Sequence, residues 1–238
     1  MSRLTIKMPN IKQISSNLPD MNTDAVLLVL EGKLEEAISL FNFSLELCIE
    51  LEKSGFLDVT REIEEPDEAV LSPISLDEVM QPSDQIIAAS HINEFQLLRK
   101  IFVLENLDDI KCRTNLVTFA STVLFNLAAL YQELFLVGGD MKWLSDSFRL
   151  YQALQELFLR ASTVKSVIML QMALYNNLGH MFAFLSDKEG VLEMRSNLMQ
   201  KLATSSQQPD YFGLRNFFRR SLGVVCNHSL QLRSAPAA

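Results

Sequence analysis

The residue types most often used for catalysis or metal binding are few in this chain and lie far apart. Its histidines and cysteines are His91, His180, His228, Cys48, Cys112 and Cys226. No cysteine, aspartate or glutamate stands three or four residues from His180, so a helix around it offers no second metal ligand. Cys226 and His228 are too close on one helix to face each other as nucleophile and base. We therefore expect no catalytic activity, no metal and no cofactor.

Two glycine-containing pairs also lack the residues that phosphate binding needs. Gly138-Gly139 is not followed by the Lys-Ser/Thr of a phosphate loop, and Gly32-Lys33 lacks both the earlier glycine and the hydroxyl. Both pairs follow apolar periodic stretches, so they predict helix ends.

Asparagine amides offer a different chemistry, which is the binding of polypeptide backbone. Asn126 and Asn177 precede a Leu-Ala and a Leu-Gly pair, respectively. A side-chain amide can both donate to and accept from an extended peptide, which suits a peptide-binding groove. The alternative is that these amides satisfy helix ends or loops of their own chain.

The elements that would position these side chains are long helices. Hydrophobic residues make up 48% of the chain, and 8 glycines and 7 prolines leave room for few turns. Apolar periodicity predicts helices over 20–31, 33–53, 114–137, 141–159, 163–185 and 188–203, with a last helix after residue 209 that covers the open end.

The predicted helices share an internal spacing. Ala25 and Ala37 are twelve residues apart, as are Gly179 and Val191, each pair spanning two consecutive helices. This repeated helix-turn-helix unit predicts an all-α fold of stacked antiparallel helix pairs, an α-solenoid, with a small insertion that carries a β-hairpin.

The stretches GKLEEAISLF, NLAALY and NNLGHM resemble the tetratricopeptide repeat. Val191 and Arg195 depart from that pattern, which prefers alanine and an aromatic residue there. FVLEN, VLFNLAALYQ, FRLYQALQEL and ALYNNLGH together resemble a large group of diatom proteins whose tetratricopeptide-like helices are interrupted by a strand-bearing insert. The resemblance implies a single helical domain over 20–238 and a protein-binding role, but no particular activity.

In tetratricopeptide stacks the first helix of each pair lines a concave groove. We therefore expect the peptide-binding residues to be Asn22, Val26, Phe125, Asn126, Gln132, Asn176, Asn177, His180 and Phe184.

The insertion at 54–108 differs in composition from the helices. The net charge of the whole chain, -8, equals the net charge of residues 58–84 alone. This stretch contains nine acidic residues, one basic residue (Arg61) and three prolines, Pro66, Pro73 and Pro82. We expect 54–84 to be loose, although LDVTREI or ISLDEVM could dock as a short helix. The apolar runs 85–90 and 95–106 predict a two-stranded hairpin, with a helical turn at FQLLRKIF as the alternative.

Other features exclude whole classes of function. Residues 1–19 should be flexible, because Pro9 and Pro19 interrupt any helix, and they lack the apolar core of a secretory signal; a transit peptide is the alternative. No run of about 18 apolar residues predicts a membrane span. Scattered cysteines of odd number favour a reducing compartment, hence a cytoplasmic or nuclear location. An acidic chain is an unsuitable partner for nucleic acid.

The sequence thus predicts a protein- or peptide-binding helical scaffold that is not an enzyme. One alternative is a self-associating structural protein, a homo-oligomer with Leu4, Ile6, Ile11 and Phe184 in its interface. A weaker alternative is RNA binding by the tail, where Arg215, Arg219 and Arg220 lie among aromatic residues.

Overall fold

The computed structural model describes residues 10–57, 69–81, 95–160, 167–205 and 213–222. The protein is mainly helical, with adjacent helices packed in pairs and one small sheet. The helices are α1 Ile11–Leu30, α2 Leu34–Lys53, α3 Arg113–Gly138, α4 Met141–Arg160, α5 Ile168–Phe184 and α6 Lys188–Thr204; residues 214–222 add a final helical segment. The strands are β1 Val70–Ser75 and β2 Lys100–Glu105.

The closest helix packing is within the consecutive pairs α1–α2, α3–α4 and α5–α6, and α2 also packs on α3. A glycine or an aspartate marks the turn within two of these pairs. Gly139 ends α3 in the left-handed conformation at φ 72°, where glycine has no Cβ to clash. Asp187 caps α6 by accepting hydrogen bonds from the backbone N–H groups of Glu189 and Gly190. The mainly all-α architecture with a small antiparallel sheet is confirmed.

The central helix is α3, which is apolar on nearly all sides. By length and composition it could span a membrane, but 72% of its most apolar 18-residue stretch is buried inside the protein. Burial by α2, α4 and β2 accounts for this composition, because a helix covered on all sides needs no polar face.

The prediction that Pro19 ends any helix was wrong. Helix α1 begins at Ile11, with Asn10 as its cap, and continues through Pro19. Ile14 and Leu18 are buried in the main core, so packing offsets the hydrogen bond that proline cannot donate. Ser15 Oγ also donates to Ile110 O at 2.9 Å, which joins this first half of α1 to the chain before α3.

The small antiparallel sheet predicted for the insertion is present, but β2 pairs with 70–75, a segment for which no strand was predicted. Strand β1 lies antiparallel to β2 in a register that sets Pro73 opposite Phe102. The N–H and C=O of Phe102 bond to Asn126 instead, so proline occupies a position where no ladder N–H is needed. The expected first strand, 85–90, lies outside the described residues.

The described part of the acidic insertion is not a loose loop. Leu71, Leu76 and Met80 are buried in the same core as the helices. The stretch ISLDEVM does dock on the stack, but as the end of β1 followed by a turn rather than as a helix. Most acidic residues of the insertion, within 58–68 and 82–94, lie outside the described residues.

The described part of the tail packs as predicted for a covering helix. Leu214 and Phe218 are buried, and Phe217 packs beside Phe218 with ring centroids 5.5 Å apart. Arg215 donates to the backbone carbonyl of Ser205. These aromatic rings therefore contribute to the core, which weakens the argument for RNA stacking.

Candidate site: the inner groove and its asparagines

Eight of the nine predicted groove residues are buried: Asn22, Val26, Phe125, Asn126, Gln132, Asn176, Asn177 and His180. The predicted groove is therefore occupied in the folded chain rather than open to solvent. Five of them, Asn22, Phe125, Asn126, Asn176 and Asn177, contact residues 95–105 of the same chain. We call residues 95–105 the inner segment and the surface that holds it the inner groove. The inner segment comprises β2 and the five residues that precede it.

The backbone of Phe102 is held by two asparagines from different helices. Asn126 Oδ1 accepts from Phe102 N–H at 2.7 Å, and Asn126 Nδ2 donates to Phe102 O at 2.7 Å. Asn22 Nδ2 donates to the same carbonyl at 3.2 Å, and its Oδ1 accepts from Asn126 Nδ2 at 3.1 Å. One residue of the inner segment thus joins α1 to α3 through three side-chain–backbone bonds.

A second set of amides holds the inner segment four residues earlier. Asn177 Oδ1 accepts from Leu98 N–H at 3.1 Å, and Asn177 Nδ2 donates to Leu98 O at 3.2 Å. Asn176 Nδ2 donates to Gln96 O at 2.8 Å. Ser221 Oγ accepts from Gln96 N–H and donates to Asn176 Oδ1, so the final helical segment supports the same contact. This is the backbone chemistry expected of the asparagines, with the chain itself as the ligand.

Asn177 is also part of a buried polar network with Tyr151, Gln132 and His180. Tyr151 Oη accepts from Asn177 Nδ2 at 3.0 Å and donates to Gln132 Oε1 at 3.1 Å. Gln132 Nε2 lies 3.5 Å from His180 Nδ1. Burial lowers the pKa of His180 to about 4, so the ring is neutral near pH 7 and Nδ1 can accept from the amide. The arrangement orients the asparagine rather than a reacting group.

An ion pair fixes the other side of the inner segment. Arg99 donates from Nε to Glu133 Oε1 at 2.9 Å and from Nη2 to Glu133 Oε2 at 2.8 Å. It also donates to Asp77 Oδ1 and to Met80 O, both in the turn after β1. Burial raises the pKa of Glu133, and the Arg99 guanidinium opposes that rise. Because Glu133 is on α3, this pair links the insertion to the central helix.

Apolar contacts define where the side chains of the inner segment fit. Phe95 lies over Gly179, where a Cβ would come within 2.6 Å of the ring. Phe102 packs edge-on against Phe125, with centroids 5.3 Å apart. Only glycine at 179 therefore leaves room for the aromatic ring, which gives the Leu-Gly pair of α5 a physical role.

Phe184 is separate from this cluster. It is half-buried and packs edge-on on Phe135, with centroids 5.3 Å apart.

Within the described ranges no group of three or more histidine, cysteine, aspartate or glutamate side chains could hold a metal ion. The free thiols of Cys48 and Cys112 are buried, and burial raises the pKa of Cys48 to about 12, so the thiolate is not formed near neutral pH.

Sequence reasoning identified the amides and gave their own chain as the alternative to a peptide, which is the arrangement observed, but it missed the Arg99–Glu133 pair. Glu133 was visible as the lone acidic residue of an apolar helix whose other charged residue is Arg113 at its first position. A buried carboxylate requires a cationic partner, so that position was the available signal. Its partner is 34 residues away, and helix periodicity carries no information at that distance.

No protein-family model, curated protein or solved structure matches this chain.

Proposed function

We propose that the protein is a peptide-binding helical scaffold with no catalytic activity of its own. The observation that carries this proposal is the pair of two-point contacts from Asn126 to Phe102 and from Asn177 to Leu98. Each asparagine satisfies one N–H and one C=O of an extended backbone, independently of the side chain attached there. Amides of this kind can hold any extended segment that fits the neighbouring pockets.

The inner segment indicates what such a peptide must carry. Its side chains place an aromatic ring over Gly179, a leucine at 98, a guanidinium on Glu133 and an aromatic ring on Phe125. The matching pattern is F-x-x-L-R-x-I-F in extended conformation. A partner with this pattern would replace the chain's own segment, and tetratricopeptide-like packing of the helix pairs would provide the rigid support.

Competition with the covalently attached segment limits the affinity for a free peptide. An attached ligand acts at an effective concentration of about millimolar, so a free peptide must overcome that advantage. Weakening the inner segment without changing the groove should therefore increase binding. Leu98→Ala is suitable, because Asn177 contacts the backbone of residue 98 and not its side chain.

The test is fluorescence anisotropy with a labelled peptide FQLLRKIFVLEN, the sequence of residues 95–106, added to the full-length protein. We expect Leu98→Ala to bind it at least about tenfold more tightly than wild type, since removal of a buried leucine weakens the competing segment by several kcal/mol. Adding Asn177→Ala to that variant should reduce binding again. A scrambled peptide is the control for nonspecific association, and circular dichroism verifies that the helices remain.

Equal binding of the scrambled and native peptides would contradict the proposal. So would a Leu98→Ala variant that retains its helices and binds no peptide. If Leu98→Ala fails to fold, Phe102→Leu provides the same comparison with a smaller loss of buried volume.

A further inference from the structure

A second surface, independent of the inner groove, lies on the outside of the first helix pair. It is a shallow, wide-open depression of about 600 Å³, which we call the end groove, lined by Leu28, Glu35, Glu36, Ser39, Leu40 and Phe43. All but Leu28 come from α2. Leu28 faces them from α1.

The apolar part of the end groove includes an exposed aromatic side chain that is not part of the core. Leu28 and Leu40 are partly buried and form its floor, while Phe43 is 49% exposed at its side. Spacings of four and three residues place Glu36, Leu40 and Phe43 on one face of α2. The buried face of this helix is carried by Ala37, Phe41 and Ser44, so Phe43 is not needed to hold α2 in place.

The polar part of the end groove is acidic. Glu35 and Glu36 are exposed in the first turn of α2, where the helix dipole favours negative charge. In the described part of the chain neither of them forms an ion pair, and Lys33 at the start of α2 pairs with Glu31 at 2.8 Å. Residues 11–53 as a whole carry eight carboxylates and three lysines.

These features select among possible occupants. A second copy of this chain would place the same groove opposite this one in a two-fold contact. Glu35 and Glu36 of the two copies would then approach and repel each other. Nucleic acid and anionic lipid would be repelled by the same charges. A helix with leucine-like residues three or four apart and flanking lysines or arginines complements both the floor and the rim.

We propose that the end groove is a docking site for a basic amphipathic helix of a partner protein. The apolar residues of that helix would cover Leu28, Leu40 and Phe43, and its basic residues would lie against Glu35 and Glu36. This site does not use the asparagines of the inner groove, so a partner could bind it while the inner segment remains in place.

The probe is a labelled helix-forming peptide of leucine and lysine at amphipathic spacing, titrated into the full-length protein and followed by anisotropy. We expect Phe43→Ala to weaken binding at least about tenfold, as loss of a central aromatic anchor does. The matched control is Ile49→Ala, which removes a side chain of similar exposure, 51%, from the same helix outside the groove. That variant should change the affinity less than about twofold.

Charge reversal provides the second arm. The Glu35→Lys/Glu36→Lys variant should lose the lysine peptide and gain an otherwise identical peptide with glutamate in place of lysine. Glu46→Lys/Glu52→Lys, with the same change of net charge on the same helix, should retain the preference for the lysine peptide.

Three results would overturn the proposal: no binding of the lysine peptide, equal effects of Phe43→Ala and Ile49→Ala, or equal effects of the two charge reversals. The last would indicate attraction to the net charge alone. These outcomes leave the inner groove untouched, because its test uses a different peptide and different variants.

Discussion

Asn177 holds the backbone of Leu98 at both its N–H and its C=O, at 3.1 and 3.2 Å, from a helix that lies 79 residues further along the chain. Asn126 does the same for Phe102. Side-chain amides thus take the place of a neighbouring strand on the inner edge of this segment. A sheet of two strands would otherwise leave that edge with unpaired backbone groups in the core.

The first prediction concerns this contact. Asn177→Ala should lower the free energy of unfolding by about 2–4 kcal/mol, because it leaves two buried backbone groups of Leu98 without partners. Urea denaturation measures the change. Asn42→Ala is the control, since Asn42 is exposed and donates only to Ile38 O of its own helix, and it should cost less than about 0.5 kcal/mol. Equal losses for the two variants would contradict the role assigned to Asn177.

The second prediction concerns the space at Gly179. Gly179→Ala should destabilise the protein by about 1–3 kcal/mol, because the new methyl group would meet the Phe95 ring at 2.6 Å. Combining it with Phe95→Leu should cost less than the sum of the two single changes, which a double-mutant cycle measures.

The matched control for this site is Gly138→Ala. Gly138 is also helical, but nothing lies within 4 Å of the added methyl group. That variant should be neutral or slightly stabilising, as alanine is favoured over glycine in helices. Additive losses in the cycle at Gly179 and Phe95 would show that the predicted clash does not occur.

The third prediction is a pH dependence of stability due to His180. The folded protein binds this proton less readily than the unfolded chain, since burial lowers the pKa from 6.5 to about 4. Unfolding therefore takes up a proton between these values, and the free energy of unfolding falls as the pH falls through this range. The full loss is about 3 kcal/mol.

Chemical denaturation at a series of pH values for wild type and His180→Gln isolates this contribution. The difference between the two proteins should vary between pH 7 and pH 4 and remain constant above pH 7. Glutamine keeps a hydrogen-bonding group near Gln132 but cannot be protonated. Parallel pH profiles of the two proteins would rule out a neutral, buried His180 as the cause.

The fourth prediction concerns the Arg99–Glu133 pair. Glu133→Ala should cost about 3–5 kcal/mol, because it leaves the partly buried Arg99 guanidinium without its main counter-ion. Asp77→Ala removes the exposed partner of the same arginine and should cost at most about 1 kcal/mol. Thermal and urea unfolding of both variants should reproduce this order, and the reverse order would be incompatible with Glu133 as the main anchor.

The sequence by itself determined the helices and their order. Apolar residues at helical spacing, with glycine or aspartate at the turns, are local signals, and they placed α2, α3, α4 and α6 to within a few residues. The sequence also identified the asparagines as backbone-binding groups, because an amide has both a donor and an acceptor wherever it is placed.

Only the tertiary structure decided what those amides bind. Strand β1 lies 25 or more residues before its partner β2, and its sequence, VLSPIS, contains a proline that argues against a strand. Its pairing depends on Phe102 directing its N–H and C=O toward Asn126, which is a contact between distant parts of the chain. The same holds for the continuation of α1 through Pro19, where burial of Ile14 and Leu18 outweighs a local preference to end the helix. Local periodicity fixes the faces of helices, whereas the filling of the space between them depends on shape and on unsatisfied hydrogen bonds, which appear only when the helices are packed.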